Sequence, residues 1–113
     1  MTCTVKPVHD GVLNPTYFQG NLKDSLELTF RNLNLQAGTA TLVGNNGSAQ
    51  VEYRTVSGQM QFIETTTGGN LTMTTVFAPP ERGKPMPSVH SRHIGIAPAN
   101  IVISQFAGPC IPS

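Results

Sequence analysis

The sequence predicts a single all-β domain, an antiparallel sandwich or small barrel of eight to nine short strands. Three observations predict this fold class. Short segments alternate between apolar and polar residues, tight turns of glycine and asparagine separate them, and one cysteine lies near each end, at Cys3 and Cys110. The 113 residues suffice for one domain, residues 1–113, with a thin core.

We expect Cys3 and Cys110 to form a disulfide that ties the first segment to the last. On the chain-entropy model, closing a loop of about 100 residues stabilises a domain by about 4.7 kcal/mol. Disulfides persist in oxidising compartments, and the sequons at Asn46 and Asn70 predict glycosylation of a secreted protein. Met1 is then expected to be an initiator placed on a mature sequence whose leader was removed. Two unpaired thiols in a cytosolic protein are the alternative.

Eight segments are predicted to be strands from their alternation and their flanking turns. Pro7 favours an edge position or a strand end for the first of them, because proline cannot donate a ladder hydrogen bond. Residues 101–103 are apolar on both faces, which predicts a strand covered on both sides. The segments are residues 2–8, 25–30, 39–43, 49–56, about 60–62, 71–77, 88–96 and 100–106.

The alternation also predicts which side chains point inward. Thr72 and Thr74 are expected to face solvent, as is Asn70. Glu64 shares the parity of the inward residues before it, so it is predicted to point into the core unless the strand ends or bulges there. The predicted inward residues are Leu26, Leu28, Phe30, Val51, Tyr53, Met60, Phe62, Leu71, Met73 and Phe77.

Composition excludes several classes of protein. Only 12% of residues are charged and the net charge is +1, which is too neutral for a non-specific nucleic-acid binder or a polybasic membrane-surface protein. No apolar run approaches the roughly 20 residues of a membrane helix. We expect no nucleic-acid partner, no membrane span, no metal and no cofactor.

A basic cluster between positions 82 and 93 is the first candidate for a ligand site. It contains no acidic residue, and guanidinium groups form paired hydrogen bonds with carboxylates, sulfates and phosphates. Protonation of its histidines predicts tighter binding of acidic ligands below about pH 6. An ordinary solvated loop and strand is the alternative. The cluster consists of Arg82, Lys84, His90, Arg92 and His93.

Tyr17 and Phe18 form a second candidate ligand site. They lie in a segment rich in turn formers and amides, which would present an aromatic face beside hydrogen-bonding groups. The alternative is that the two rings cover one end of the core.

The segment 78–88 contains four prolines and is predicted to be a stiff, exposed loop. No nucleophile elbow occurs in the chain. The leading hypothesis is therefore a secreted, non-enzymatic, lectin-like or effector-like protein that binds a glycan or an extracellular protein. An inhibitor of a secreted hydrolase, acting through residues 79–88, is the alternative. A small glycosidase or lyase ranks third, and a homodimer is left open.

Two stretches near the C-terminus carry a resemblance to known proteins. At Val89-His90-Ser91-Arg92-His93 and at residues 104–110, Ser-Gln-Phe-Ala-Gly-Pro-Cys, the chain resembles small secreted fungal proteins of uncharacterised function. The resemblance covers about the last third of the chain. It implies secretion and a bridged terminal cysteine, and it implies no activity.

Overall fold

The protein is an antiparallel β-barrel, seen in a computed structural model that describes residues 1–14, 16–20, 24–44, 47–66, 68–97 and 100–112. For residues 13, 14, 16–18, 96, 97 and 100 it describes the backbone alone. No helix occurs in these ranges. The strands are β1 (Thr2–Asn14), β2 (Thr16–Gln19), β3 (Leu26–Asn34), β4 (Thr39–Gly44), β5 (Gly47–Val56), β6 (Gln59–Thr65), β7 (Leu71–Val76), β8 (Met86–Ala97) and β9 (Asn100–Ile111).

Eight of these strands close the barrel. From β3 to β9 each strand pairs with the next in sequence, and β1 pairs with both β3 and β9. The short strand β2 folds back on the end of β1 as an additional hairpin. The pairing of β1 with β9 removes both edges of the sheet. Of the two architectures predicted, the fold is therefore the barrel and not the sandwich.

The disulfide between Cys3 and Cys110 is present, as the sequence predicts. The two residues are direct partners in the β1–β9 pairing, and both are fully buried. The bridge therefore fastens the seam where the first and last strands of the barrel meet.

The hydrophobic core fills one half of the barrel and has stacked aromatic rings at its centre. The rings of Phe30 and Phe62 stack with centroids 3.9 Å apart, and Tyr53 stacks on Phe62 at 5.0 Å. These three side chains are at most 7% exposed, as the alternation predicts for β3, β5 and β6. Inward aliphatic residues, including Val5 and Val76, complete this packing.

The edge position and the strand end predicted at Pro7 are both wrong, because β1 has partners on both sides and continues to Asn14. Its described pairing toward β3 ends at Val5, and its pairing with β2 begins at Gly11. Pro7 lies between these points, where no donor is required on that side, and the β9 register shifts between Pro7 and His9. The two-sided cover predicted for residues 101–103 is also wrong, since Ile101 is 41% exposed.

The faces predicted for β7 are inverted in the structure. Thr74 and Val76 are buried, whereas Met73 is 36% exposed. The inversion has a polar cause: the Thr74 Oγ1 atom is 2.7 Å from Nδ1 of the buried His90. A hydrogen-bonded threonine can therefore occupy the interior. The assignment of apolar residues to the inner face of β7 does not hold, because the interior is polar there.

The two ends of the barrel differ in their loops. One end carries the turns that follow β1, β4, β6 and β8, and we call it the open end. The other end carries the termini and the loop 77–85, whose residues 78–85 are all exposed, as the sequence predicts for the proline-rich segment. The prediction is wrong for Met86 and Pro87, because they belong to β8 and pair with Cys110 and Pro109 of β9. Among the described residues, none forms a helix of the length and apolar character needed to cross a membrane.

Candidate functional site

A row of polar residues crosses five neighbouring strands on the inner face near the open end. The strand register pairs Asp10 with Ser104, Ser104 with Arg92, Arg92 with Thr72 and Thr72 with Glu64. Equivalent positions on neighbouring strands share a face. The sheet therefore places two carboxylates, a guanidinium and two hydroxyls at one level inside the barrel, and we call them the polar row.

The polar row borders a cavity of about 360 Å³ at the open end. The side chains of Glu64, Thr72, His90 and Arg92 form part of its wall. The exposed residues Gly47 and Ser48, in the strand that follows the β4–β5 turn, also line it, so the cavity reaches the protein surface.

The opposite wall of this cavity is apolar. Leu26 and Leu28 from β3 and Leu42 from β4 line it, with Ala49 of β5 beside them. These residues follow the inward alternation of their strands. The cavity thus combines an apolar wall with a few polar groups, which is the usual composition of small-molecule sites, and its volume lies at the lower end of their range.

Arg92 is the central cation of this site. Its guanidinium carbon lies 4.9 Å from the ring centre of Phe106, a cation–π contact that fixes the side chain over a buried ring. Burial lowers the pKa of Arg92 from its usual value, and the nearby Asp10 partly opposes this. The Nε–H of Arg92 is buried and has no hydrogen-bond partner among the described residues. A donor in this state costs free energy until an acceptor reaches it.

His90 is held below Arg92 as a neutral imidazole. It is 3% exposed, and its Nδ1 is paired with the Thr74 hydroxyl at 2.7 Å. Burial lowers the pKa of His90 from 6.5 to about 4, with a further contribution from the charge of Arg92. The imidazole therefore carries no charge at neutral pH.

Asp10 and Glu64 occupy the two ends of the polar row and have different surroundings. The fully buried Ser104 donates its hydroxyl to Oδ1 of Asp10 at 2.8 Å, and the amide of Gly20 donates to the main-chain oxygen of Asp10. A side chain at position 20 would collide with the Asp10 carboxylate. Glu64 accepts only a long hydrogen bond, 3.5 Å, from Thr72 among the described residues.

The basic cluster predicted from the sequence does not form a single patch. His90 and Arg92 point into the cavity, whereas His93 is exposed on the same strand, consistent with strand parity. Arg82 and Lys84 lie in the exposed loop at the opposite end of the barrel. His90 does not gain the positive charge expected below pH 6, because its pKa of about 4 keeps the ring neutral at that pH.

The aromatic candidates lie beside the open end. Tyr17 and Phe18 belong to β2 and pair through their backbones with Leu13 and Val12; their side chains are outside the described part of the structure. They thus belong to a strand, which the turn formers of this segment did not predict.

The two sequons remain predicted glycosylation sites. Asn46 lies outside the described residues. Asn70 is half-buried, and its side-chain oxygen accepts a hydrogen bond from the Gly95 amide at 2.9 Å. The full exposure expected for Asn70 is therefore wrong, because the amide connects the β6–β7 turn to β8.

A second concavity, of about 570 Å³, lies beneath the proline-rich loop at the opposite end. Phe77 and four prolines form much of its lining, and Glu81 and Lys84 border it. The loop is closed at its base by a hydrogen bond from the Phe77 amide to the Pro87 oxygen. This concavity shares no lining residue with the cavity at the open end.

Within the described residues, no group of three or more His, Cys, Asp or Glu side chains is arranged to hold a metal ion. Comparison of the chain with protein-family models, with curated proteins and with solved structures gives no match. Arguments about function therefore rest on the barrel and its cavity.

Sequence reasoning singled out His90, Arg92 and the inward parity of Glu64, and all three line the cavity. It missed Asp10 and Thr72. The signal for Thr72 was its position just after the β6–β7 turn, which places it opposite Glu64 in the hairpin. Its polar side chain was nevertheless assigned to solvent. Asp10 was undetectable because its role depends on β1 pairing with β9, about a hundred residues away.

Proposed function

We propose that this protein is a secreted, non-enzymatic binding module that takes a terminal sugar of a glycan into the cavity at the open end. The observation that carries the proposal is the cavity itself, in which a leucine wall faces donors and acceptors of hydrogen bonds. The disulfide is consistent with secretion.

A sugar matches the cavity group by group. Its hydroxyls both donate and accept, whereas the Arg92 guanidinium only donates and the Glu64 carboxylate only accepts. The Arg92 guanidinium lines the cavity, where it would gain an acceptor on binding. The carbon face of a sugar ring is apolar and suits the wall formed by Leu28 and Leu42.

The state of His90 supports binding without catalysis. A general acid or base works best when its pKa lies near the working pH. His90 has a pKa of about 4 and one ring nitrogen already engaged by Thr74. These features suit a fixed wall that orients Arg92.

The experiment is a carbohydrate-array and calorimetric test of two matched variants. Ala49→Phe fills the cavity from β5, and Gln50→Phe places the same ring at the next residue of that strand, which is exposed. We expect the wild type and Gln50→Phe to bind the same glycans and Ala49→Phe to lose at least tenfold in affinity. The bound glycans are recovered and weighed by mass spectrometry, and we expect them intact.

Three results would contradict the proposal. An array that stays blank across neutral and charged glycans would remove glycan recognition. Equal binding by Ala49→Phe and the wild type would mean that the glycan binds outside the cavity. Cleaved glycans would mean that the protein is an enzyme and not a binding module, and Glu64 would be the first residue to substitute.

Inhibition of a secreted hydrolase is a second proposal, and the exposed loop 77–85 favours it. Prolines stiffen the loop, so little conformational entropy is lost when it enters a cleft. A turn in which the Lys84 amide donates to the Glu81 oxygen at 3.1 Å also orders it. Incubation with secreted proteases and glycosidases tests this: inhibition abolished by replacing residues 79–85 with glycine and serine supports it, and undiminished enzyme activity excludes it for those enzymes.

A further inference from the structure

We propose that the ligand of the open-end cavity is a cationic amino sugar, one whose unmodified amine is protonated and pairs with Glu64. This inference rests on the proposed glycan binding and adds the class of sugar. It reverses the expectation of an acidic ligand, which depended on a basic cluster that the fold does not assemble.

The charges around the cavity carry the argument. Glu64 of β6 and Glu27 at the start of β3 line it, and Arg92 of β8 is the cation among the described lining residues. His90, also in the wall, is neutral. On the other side of Arg92 lies Asp10 of β1, close enough for its carboxylate to raise the pKa of Arg92 against the effect of burial. Asp10 therefore offsets the charge of Arg92, and Glu64 remains as a second carboxylate in the polar row.

Glu64 is the carboxylate with capacity for a further donor. Among the described residues its only hydrogen bond is the 3.5 Å contact from the Thr72 hydroxyl, which is long for an O–H donor to a carboxylate. Asp10, in contrast, already receives the Ser104 hydroxyl at 2.8 Å. An ammonium group on the ligand would give Glu64 a charge-assisted partner.

Arg92 and Glu64 then have different roles in recognition of the sugar. The guanidinium of Arg92, which lines the cavity, donates to a hydroxyl or ring oxygen of the sugar, which any sugar supplies. Glu64 discriminates, because a carboxylate in a partly buried cavity favours a cation and repels an anion. Glu27 is exposed, so its contribution to the attraction is smaller and more readily screened by salt.

The test compares three oligosaccharides of equal length by isothermal titration calorimetry on the full chain. They are glucosamine oligomers, their N-acetylated counterparts and neutral glucose oligomers. At pH 5.5 an amine whose pKa resembles that of an α-amino group, about 7.7–8.0, is protonated. We expect the glucosamine oligomers to bind roughly tenfold more tightly than the other two, the size expected for one hydrogen bond to a charged group.

Two variants assign this preference to one residue. Glu64→Gln keeps the shape of the side chain and its acceptor for Thr72, and we expect it to reduce the preference for the amine over the neutral oligomers to about twofold. Glu81→Gln removes the same charge in the loop at the opposite end, and we expect no change. Glu27→Gln provides a second test at the cavity entrance, with a smaller loss of preference.

The outcomes separate the inference from the proposal on which it rests. Neutral and amine oligomers that bind equally well, in the wild type and in Glu64→Gln, would overturn the cationic ligand and leave glycan binding in place. Tighter binding of acidic sugars would overturn it as well. No binding of any oligosaccharide would remove the proposed function itself.

Discussion

Acid should destabilise this protein through one residue, His90. The unfolded chain binds a proton at this histidine below pH 6.5, whereas burial lowers its pKa in the folded protein to about 4. The stabilisation is therefore fully present above pH 6.5 and is lost as the pH falls toward 4. Each pKa unit corresponds to about 1.4 kcal/mol, so the difference amounts to roughly 3 kcal/mol.

The assay is urea unfolding of the wild type and of His90→Gln between pH 4 and pH 7.5. Glutamine cannot titrate here, yet it retains a group that can pair with the Thr74 hydroxyl. We expect the free energy of unfolding of the wild type to fall by about 3 kcal/mol more than that of the variant across this window. His93→Gln removes an exposed histidine from the same strand and should follow the wild type.

Parallel pH profiles for the wild type and His90→Gln would refute the reasoning, because they would mean that this histidine titrates alike in both states. Direct titration of the His90 ring by NMR in the wild type gives an independent check, even where the variant folds poorly. A ring that titrates near pH 6.5 in the native protein would refute it too.

Two further predictions concern the seam of the barrel. Reduction of the Cys3–Cys110 disulfide should lower the free energy of unfolding by up to about 4.7 kcal/mol, measured by urea unfolding with and without reductant; an unchanged midpoint would contradict the stabilising role. Gly108→Ala should lower the melting temperature by several degrees, because a methyl group there would collide with the Thr4 carbonyl across the seam. Calorimetry of Gly95→Ala provides the control, since nothing lies within 4 Å of a methyl group at that position; equal melting temperatures for the two variants would contradict the close approach.

The strands of this barrel were largely predictable because most of them obey a local rule. Alternation placed Phe30, Tyr53 and Phe62 inside, and their burial confirms it. The terminal cysteines predicted the bridge. Each of these inferences uses residues close in sequence or a chemical property of a single residue type.

The prediction failed where the interior is polar or where distant strands meet. Thr72 and Thr74 were assigned to solvent because hydroxyl groups are usually exposed, yet one of them bonds to His90 and the other to Glu64. The choice between a closed barrel and a sandwich was left open, because no local sequence pattern indicates that β1 pairs with β9. The cavity follows from both features, so sequence identified His90 and Arg92 without showing what surrounds them.

The register of the β1–β9 seam also bears on the order of folding. Strands β3 to β9 pair with their immediate neighbours in sequence, and such hairpins form with little loss of loop entropy. The seam instead joins distant residues, such as Cys3 and Cys110, which are 107 positions apart. Its formation is expected to be the slow step for a reduced chain. In the oxidised chain the covalent bond already holds the two strands together, so refolding from denaturant should be faster with the disulfide intact than after its removal.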